Sequence, residues 1–292
     1  MFKSGFVNII GRPNVGKSTL MNALVGEKLA IITPKAQTTR KRILGIVQSE
    51  SAQIIFSDTP GFIHQPQYKL HEWMNDQIRI ALQDADILIC MTMPGDEPDE
   101  NDPLLKKLTE ITIPLIIVIN KTDTVSVDVI ENIQRKWAKI FPGKQIFAIS
   151  ALKGKNIEAL QKKINDLLPE HPGYFEKDEL TDQTERFFAA EMIREKIFLN
   201  YQQEIPYSVE TAVEEYKDKG DIIVIKAIIF VSRDAHKNII IGKGGSAIKK
   251  TGMEARKDIE AFTGKKVFLE LFVKVKDNWK NDDRMLKYFG YN

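Results

Sequence analysis

A chain of 292 residues, 43% hydrophobic and 28% charged, has the composition of an ordinary globular protein and length enough for two compact domains. No apolar run approaches the roughly 18–20 residues that cross a bilayer, and the longest, Ile113–Ile119, carries Pro114 and reads as a buried strand. The net charge of +2 hides a division: residues 1–171 carry 21 basic and 19 acidic side chains, 172–221 carry 6 and 13, and 222–292 carry 15 and 8. A basic surplus of that kind near the C-terminal end is what a nucleic-acid surface would produce, although a solvated face would look the same.

The first strand, Gly5–Ile10, runs straight into a glycine-rich loop instead of a small-residue cleavage site. No cleavable signal is therefore expected, and the cytoplasm is the expected compartment. Gly11-Arg12-Pro13-Asn14-Val15-Gly16-Lys17-Ser18 then fits G-x-x-x-x-G-K-[ST], after a strand and opening the helix Lys17–Val25, with Thr19 next in line. Gly11 and Gly16 let the backbone wrap a polyphosphate so that main-chain N–H groups converge on its oxygens. Lys17 is positioned to neutralise the β- and γ-phosphates and Ser18 to ligate Mg²⁺.

The polar stretch Thr33–Arg40 offers two threonines, Thr38 and Thr39, to complete a Mg²⁺ shell, with Thr39 favoured and Thr38 left open. Arg42–Gln48 alternates and suits an antiparallel edge strand, whereas Gln53–Ser57, with Ile54–Phe56 at its centre, is nearly continuously apolar and suits an interior one. Asp58-Thr59-Pro60-Gly61 follows it. Asp58 is the expected carboxylate holding Mg²⁺ through water, and the Gly61 N–H the expected sensor of a γ-phosphate. A helix over Lys69–Gln83 leads to the strand Asp86–Met91, whose Cys90 is the only cysteine and reads as a buried core thiol.

Beyond the strand Leu115–Ile119 comes Asn120-Lys121-Thr122-Asp123. The Asp123 carboxylate can accept two hydrogen bonds from guanine, at its ring N–H and its 2-amino group. Adenine offers neither, and a desolvated carboxylate left without partners costs roughly 1–3 kcal/mol or more. Asn120 and Lys121 are expected to brace this loop. After a helix over Asp128–Ile140 and a strand over Gln145–Ile149, Ser150-Ala151-Leu152 is the expected loop whose backbone meets the guanine oxygen. A last helix, Asn156–Leu167, completes an alternating pattern that implies an α/β sandwich around a mostly parallel sheet. Ligands bind such sheets at the carboxyl ends of the strands, where every one of these motifs falls.

Leu168–Phe175 carries two prolines and a glycine, which places the boundary there: a first domain over 1–170, a linker over 171–181 and a second domain over 182–292. The second reads as a helix (Asp182–Leu199), two strands (Tyr207–Tyr216, Asp221–Val231), a helical pair and a strand (Lys265–Val275), an α+β order. Between the paired helices lies Gly242-Lys243-Gly244-Gly245, a G-x-x-G loop of the kind that clamps about four nucleotides of single-stranded backbone in KH modules. Ile240, in the run Ile239–Ile241, is expected to help floor such a site. Lys237, Lys243, Lys249 and Lys250, with Arg256 and Lys257, would add phosphate attraction. Trp279, Tyr288, Phe289 and Tyr291 are expected to pack the final helix, with stacking on bases as the alternative.

The P-loop, Gln37-Thr38-Thr39-Arg40, Asp58–Gly61, Asn120–Asp123, Ser150–Leu152 and the downstream G-x-x-G, in this order, resemble the Era family of ribosome-assembly GTPases along essentially the whole chain. The resemblance implies an α/β P-loop GTPase domain followed by an α+β type II KH domain, with GTP and GDP as ligands and Mg²⁺ as cofactor. It also implies binding near the 3′ end of 16S rRNA in the 30S subunit, a monomer, and peripheral association with the inner membrane. The other reading is a GTPase acting on another RNA or at a membrane, with the KH domain as a general single-strand clamp. Phe62 stands where Ras-like proteins carry a water-orienting glutamine, and in some relatives an asparagine placed like Asn14 supports K⁺, which makes K⁺ a second cation to test.

Overall fold

The computed structural model describes residues 1–291. Met1–Ala30, Thr39–His64 and Met74–Asp182 form one compact unit, and Ile31–Thr38, Gln65–Trp73 and the chain from Gln183 onward form the other.

In the first unit, six strands, β1 (Lys3–Gly11), β2 (Ile43–Gln48), β3 (Ala52–Asp58), β4 (Ile87–Thr92), β5 (Leu115–Ile119) and β6 (Gln145–Ala148), lie in the order β2-β3-β1-β4-β5-β6. All neighbours are parallel except β2 and β3. The alternating strand is thus the antiparallel edge and β1, β3, β4 and β5 are interior, as burial on both faces requires, whereas β6, read from sequence as buried, is the opposite edge and only partly covered. Ile10, Leu88, Cys90, Leu115, Ile117 and Ile119 form one core with Ile78 of α2 (Lys69–Gln83), Leu104, Leu105 and Leu108 of α3 (Pro103–Thr109) and Ile133 and Trp137 of α4 (Val127–Ile140). The short helix α3 was not anticipated from sequence. Asp102 caps it by accepting from Leu104 N at 2.8 Å, with Pro103 at its first position. Helices α1 (Lys17–Val25) and α5 (Ile157–Leu167) complete the unit.

The segment 171–181 is tied to this sheet rather than free. Gln53 Oε1 accepts from Tyr174 N at 2.6 Å and Phe175 N at 3.0 Å, and Ile46 N on the edge strand donates to Leu180 O at 2.8 Å. The exposed edge of β2 is thereby partly covered.

The second unit packs α6 (Glu185–Asn200), α7 (Asp234–Ile241) and α8 (Ser246–Thr263) with a three-stranded sheet ordered β7-β8-β9, over Val209–Asp218, Ile222–Val231 and Lys266–Val275. β7 and β8 are antiparallel, β8 and β9 parallel. The last helix, α9 (Asp283–Tyr288), belongs to a buried aromatic group: Trp279, Phe289 and Tyr291 are core residues, while Tyr288 is exposed. Trp279 Nε1 donates to Ser208 O at 3.2 Å and Tyr291 Oη to Glu210 Oε2 at 2.5 Å, so both polar tips are satisfied. Among the described residues no helix is long and apolar enough to cross a membrane.

Candidate nucleotide site and nucleic-acid groove

The loop between β1 and α1 owes its shape to backbone conformations that side chains resist. Gly11, Asn14 and Gly16 have φ of 151°, 64° and 98°. A Cβ on Gly16 would lie 2.3 Å from Asn120 Nδ2, and one on Gly11 would lie 2.4 Å from Met91 O. Glycine is required at both on steric as well as torsional grounds. The loop delivers Lys17 to a nearly closed position, 6% exposed, where its ammonium donates to Gly11 O at 3.1 Å and Arg12 O at 3.0 Å. Burial pushes the Lys17 amine down to about 8, a shift that Asp58 opposes.

Beside Lys17, three side chains from three segments converge. Ser18 Oγ donates to Asp58 Oδ2 at 2.6 Å, Thr39 Oγ1 donates to the same oxygen at 3.2 Å, and the two hydroxyls are 2.9 Å apart. Asp58 Oδ1 is buried without any hydrogen-bond partner, and burial raises the carboxyl above its ordinary value against the pull of Lys17. A cluster made only of hydroxyl and carboxylate oxygens, with one buried lone-pair atom unsatisfied, fits a hard divalent cation of the Mg²⁺ type. The geometry separates the two threonines that sequence left open. Thr38 turns its hydroxyl away, to Thr33 Oγ1 at 2.6 Å and Lys35 O at 2.7 Å, and Thr39 alone faces Ser18 and Asp58.

Asn120 joins the P-loop to the loop after β6: its Nδ2 donates to Val15 O at 2.8 Å, and its Oδ1 accepts from Ala151 N at 2.9 Å. The Thr122 hydroxyl donates to Ile149 O at 2.8 Å, and Lys121 adopts a left-handed conformation, φ 60°, that turns the loop. Asp123 stands exposed beyond it, its carboxyl held below the usual range by a hydrogen bond from Ser150 and by Lys153 and Lys121. Thr59 and Pro60 are buried, and Thr59 Oγ1 donates to Ile9 O at 2.8 Å. Gly61 passes so close to Pro13 that a Cβ would sit 2.8 Å from its Cα. Phe62 packs against the core formed by β1, β4 and β5.

Arg12 and Leu152, both expected at the site through their loops' backbone, turn their side chains elsewhere. The Arg12 guanidinium pairs with Asp96 and, at 3.0 Å, with Asp102, so two nearby carboxylates hold it in place of a ligand. The Leu152 side chain is 76% exposed, whereas Ser150, bonded to Asp123, and Ala151, bonded to Asn120, are fastened to the site.

In the second unit, Gly242, Gly244 and Gly245 all have positive φ, of 72°, 59° and 78°, and a Cβ on Gly242 would lie 2.6 Å from Ala247 Cβ. Lys243, Lys249 and Lys250 are exposed at the start of α8, and Lys237 is half-buried. Ile240 is fully buried. The expectation for it is corrected accordingly: it supports α7 from beneath and offers no surface. The apolar lining comes from residues that sequence reading passed over. A groove of about 320 Å³ runs between α8 and β9, lined by Ile248, Met253, Arg256, Phe268 and Leu271 among others. Met253 is 58% and Phe268 51% exposed. The signal available in the sequence was Phe268 and Phe272 on one edge strand, interleaved with Val267 and Leu271.

Known proteins share this arrangement. Residues 6–121 match the family described as 50S ribosome-binding GTPase, and residues 204–280 match the KH domain family. The GTPase Era of Alkaliphilus metalliredigens is 44% identical over 293 residues, covering 99% of each chain. That of Caldicellulosiruptor saccharolyticus is 45% identical over 295 residues, covering 100% of this chain and 98% of that one. A crystal structure of Era in complex with MgGDPNP and nucleotides 1506–1542 of 16S ribosomal RNA superposes with a TM-score of 0.95 at 38% identity, covering 100% of this chain and 99% of that one. A point variant of Aquifex aeolicus Era bound to GDP·AlF4⁻ gives the same TM-score and identity, covering 99% of each chain. With the fold shared and nearly the whole length of each chain covered at 38–45% identity, the chain belongs to the Era family of GTPases.

Proposed function

We propose that this chain is a GTP-hydrolysing switch that binds the 3′ region of 16S rRNA and assists assembly of the 30S subunit. The GTPase domain is taken as 1–170, the linker as 171–181 and the RNA-binding domain as 182–292. The observation that carries the reading is the convergence of Ser18, Thr39 and Asp58 beside Lys17 in the same chain as a G-x-x-G loop and an apolar groove. Support for the 16S reading comes from a full-length relative in complex with that RNA. The family description that mentions the 50S subunit covers residues 6–121 alone and does not reach the KH domain.

In this reading the N–H groups of Gly11–Ser18 cradle the β- and γ-phosphates and Lys17 neutralises them. Ser18 and Thr39 would ligate Mg²⁺ directly and Asp58 through water, and the ion so held would supply positive charge to offset that developing on phosphoryl transfer. The Gly61 N–H faces the γ-phosphate, and Asp123 reads the guanine edge while the backbone of Ala151 meets the guanine oxygen. Phe62 cannot orient a water, so intrinsic turnover is slow. A K⁺ ion carried near Asn14, which is exposed at positive φ, would supply the missing positive charge. Turnover in KCl well above that in NaCl at equal ionic strength is the expected result; equal rates sink the K⁺ role.

RNA backbone lies on Gly242–Gly245 and Lys243, Lys249 and Lys250, with bases against Met253 and Phe268. The resemblance further supports a cytoplasmic monomer with peripheral attachment to the inner membrane, which sedimentation and vesicle flotation test. The central experiment is filter binding of a single-stranded 16S 3′-end RNA with GDP or GDPNP present. Tighter binding with GDPNP is expected, and no RNA binding in either state would overturn the RNA assignment.

A further inference from the structure

Arg12 lies inside the phosphate loop, yet both ends of its guanidinium fork are held by carboxylates. Nη1 pairs with Asp96, and Nη2 donates to Asp102 Oδ2 at 3.0 Å. Arginine suits this position because one rigid plane reaches two partners, which an ammonium cannot do with the same geometry. Both partners are themselves fixed. Asp96 Oδ2 accepts from Thr92 Oγ1, at the end of β4, at 3.2 Å. Asp102 is 5% exposed, and its other oxygen caps α3 through Leu104 N at 2.8 Å. Burial acts to raise the Asp102 carboxyl, but the bonds from Arg12 and Leu104 outweigh it and hold the group below its ordinary value. It therefore stays a carboxylate.

The residue that Arg12 carries with it is Pro13. A Cβ on Gly61 would lie 2.8 Å from Pro13 Cα and Cγ and 2.9 Å from its N, so the loop after β3 rests directly on this proline. His64, three positions past Gly61, brings its Nε2 to 4.0 Å from the same Asp102 oxygen, with its ring edge-on to Phe62 at 5.0 Å. One carboxylate thus stands between the phosphate loop and the loop that carries Gly61. The inner half of the phosphate loop has a different anchor, since Val15 O accepts from Asn120 Nδ2 at 2.8 Å. All of these residues belong to the first unit. Its phosphate loop is fastened twice, the inner half to the loop after β5 and the outer half to the segment that leads into α3.

We infer that Arg12 and Asp102 are positioning residues for the γ-phosphate step: their ion pair fixes Pro13, and Pro13 sets where the Gly61 N–H meets the γ-phosphate. This rests on the assignment of GTP to the P-loop. A proline, with φ fixed by its ring, passes on a shift of its neighbour instead of absorbing it. A misplacement of about 1 Å is enough to lower a rate by as much as a hundredfold, roughly. GDP has no γ-phosphate and is held by the half that Asn120 anchors. The ion pair therefore matters to turnover of the triphosphate and not to binding of the diphosphate.

The test is GTP turnover with Mg²⁺, and binding of fluorescent GDP, by full-length Asp102→Asn, Arg12→Gln and the double variant, each with a thermal melt. Asparagine caps a helix as well as aspartate does, so Asp102→Asn keeps the start of α3 and removes the charge facing Arg12. We expect kcat lower by about tenfold in each single variant, no lower in the double because one pair is lost in all three, and GDP affinity unchanged. A merely structural role would lower the melting temperature and weaken GDP along with turnover. That result, an unchanged kcat, or losses that multiply in the double variant overturn the inference. Should Asp102→Asn fail to fold, Arg12→Gln, at a side chain 37% exposed, decides by the split between kcat and GDP affinity. If the wild-type chain binds no GDP and turns over no GTP, the nucleotide assignment itself fails, and the two failures are thereby distinct.

Discussion

Replacing Gly16 with alanine would put a methyl group 2.3 Å from Asn120 Nδ2 and force it into a backbone with φ of 98°. Asn120 would have to move, and with it the hydrogen bonds to Val15 O and Ala151 N that join two loops of the site. We expect Gly16→Ala to lose GTP binding while the isolated fold loses only about 1–3 kcal/mol; calorimetry of binding together with a thermal melt separates the two effects. Asp123 makes the opposite kind of contribution. It is exposed, and its bond within the fold comes from Ser150, so Asp123→Ala should lower the melting temperature only slightly. Two hydrogen bonds to a charged acceptor, each worth about 1.5–3 kcal/mol, predict a loss of GTP affinity of about a hundredfold or more. Preference for GTP over ATP should fall with it. An unchanged preference would show that the base is read elsewhere.

At the scale of elements, α8 and β9 matter most outside the nucleotide site. Gly252 lets the helix approach the strand, since a Cβ there would already be 3.2 Å from Leu271 Cδ1, and the groove between them carries Met253 and Phe268. Phe268→Ala should weaken RNA by about 1–3 kcal/mol if one base stacks there, with GTP hydrolysis by the RNA-free protein unaffected. Lys243→Gln with Lys249→Gln should instead weaken all single strands alike and lower the salt dependence of binding by about two units. Filter binding across a salt series distinguishes stacking from charge. α6 carries its own check on stability: Thr184 Oγ1 accepts from Phe187 N at 3.3 Å as the cap of that helix. Thr184→Ala should cost about 1 kcal/mol in a denaturant melt.

For the whole molecule, ligand linkage gives the clearest expectation. GDPNP with Mg²⁺ at about a hundred times its dissociation constant should stabilise the folded chain by about 2.7 kcal/mol. Chelating the metal should remove most of that increment, because Asp58 Oδ1 then has no partner and Ser18 and Thr39 share one oxygen. Differential scanning with and without chelator measures it. Stabilisation that survives chelation would mean that the oxygen cluster is not where the metal binds.

Much of this protein was written in local sequence. A P-loop, an N-K-x-D and a G-x-x-G are short stretches that depend on main-chain torsions and on side chains a few residues apart, so the sequence nominates them, the last two only in the order of the elements around them. Strand character followed as readily, because Leu115–Ile119 is apolar at every position and Arg42–Gln48 is not. What tertiary structure decided were the choices between equivalent neighbours. Thr38 and Thr39 are adjacent and chemically identical, and only the fold turns one hydroxyl to Ser18 and Asp58 and the other to Thr33. Arg12 sits inside a phosphate loop, yet Asp96 and Asp102 arrive from more than 80 residues away to hold it. Ile240 lies next to the glycine loop but faces inward, while Phe268, well beyond that loop in the chain, lines the groove. The buried Arg194 shows only part of its pairing in its own stretch of sequence, Glu191 three positions before it, because its other partner is a carbonyl oxygen 156 positions away. A carbonyl is present at every residue and so leaves no trace in the order of side chains.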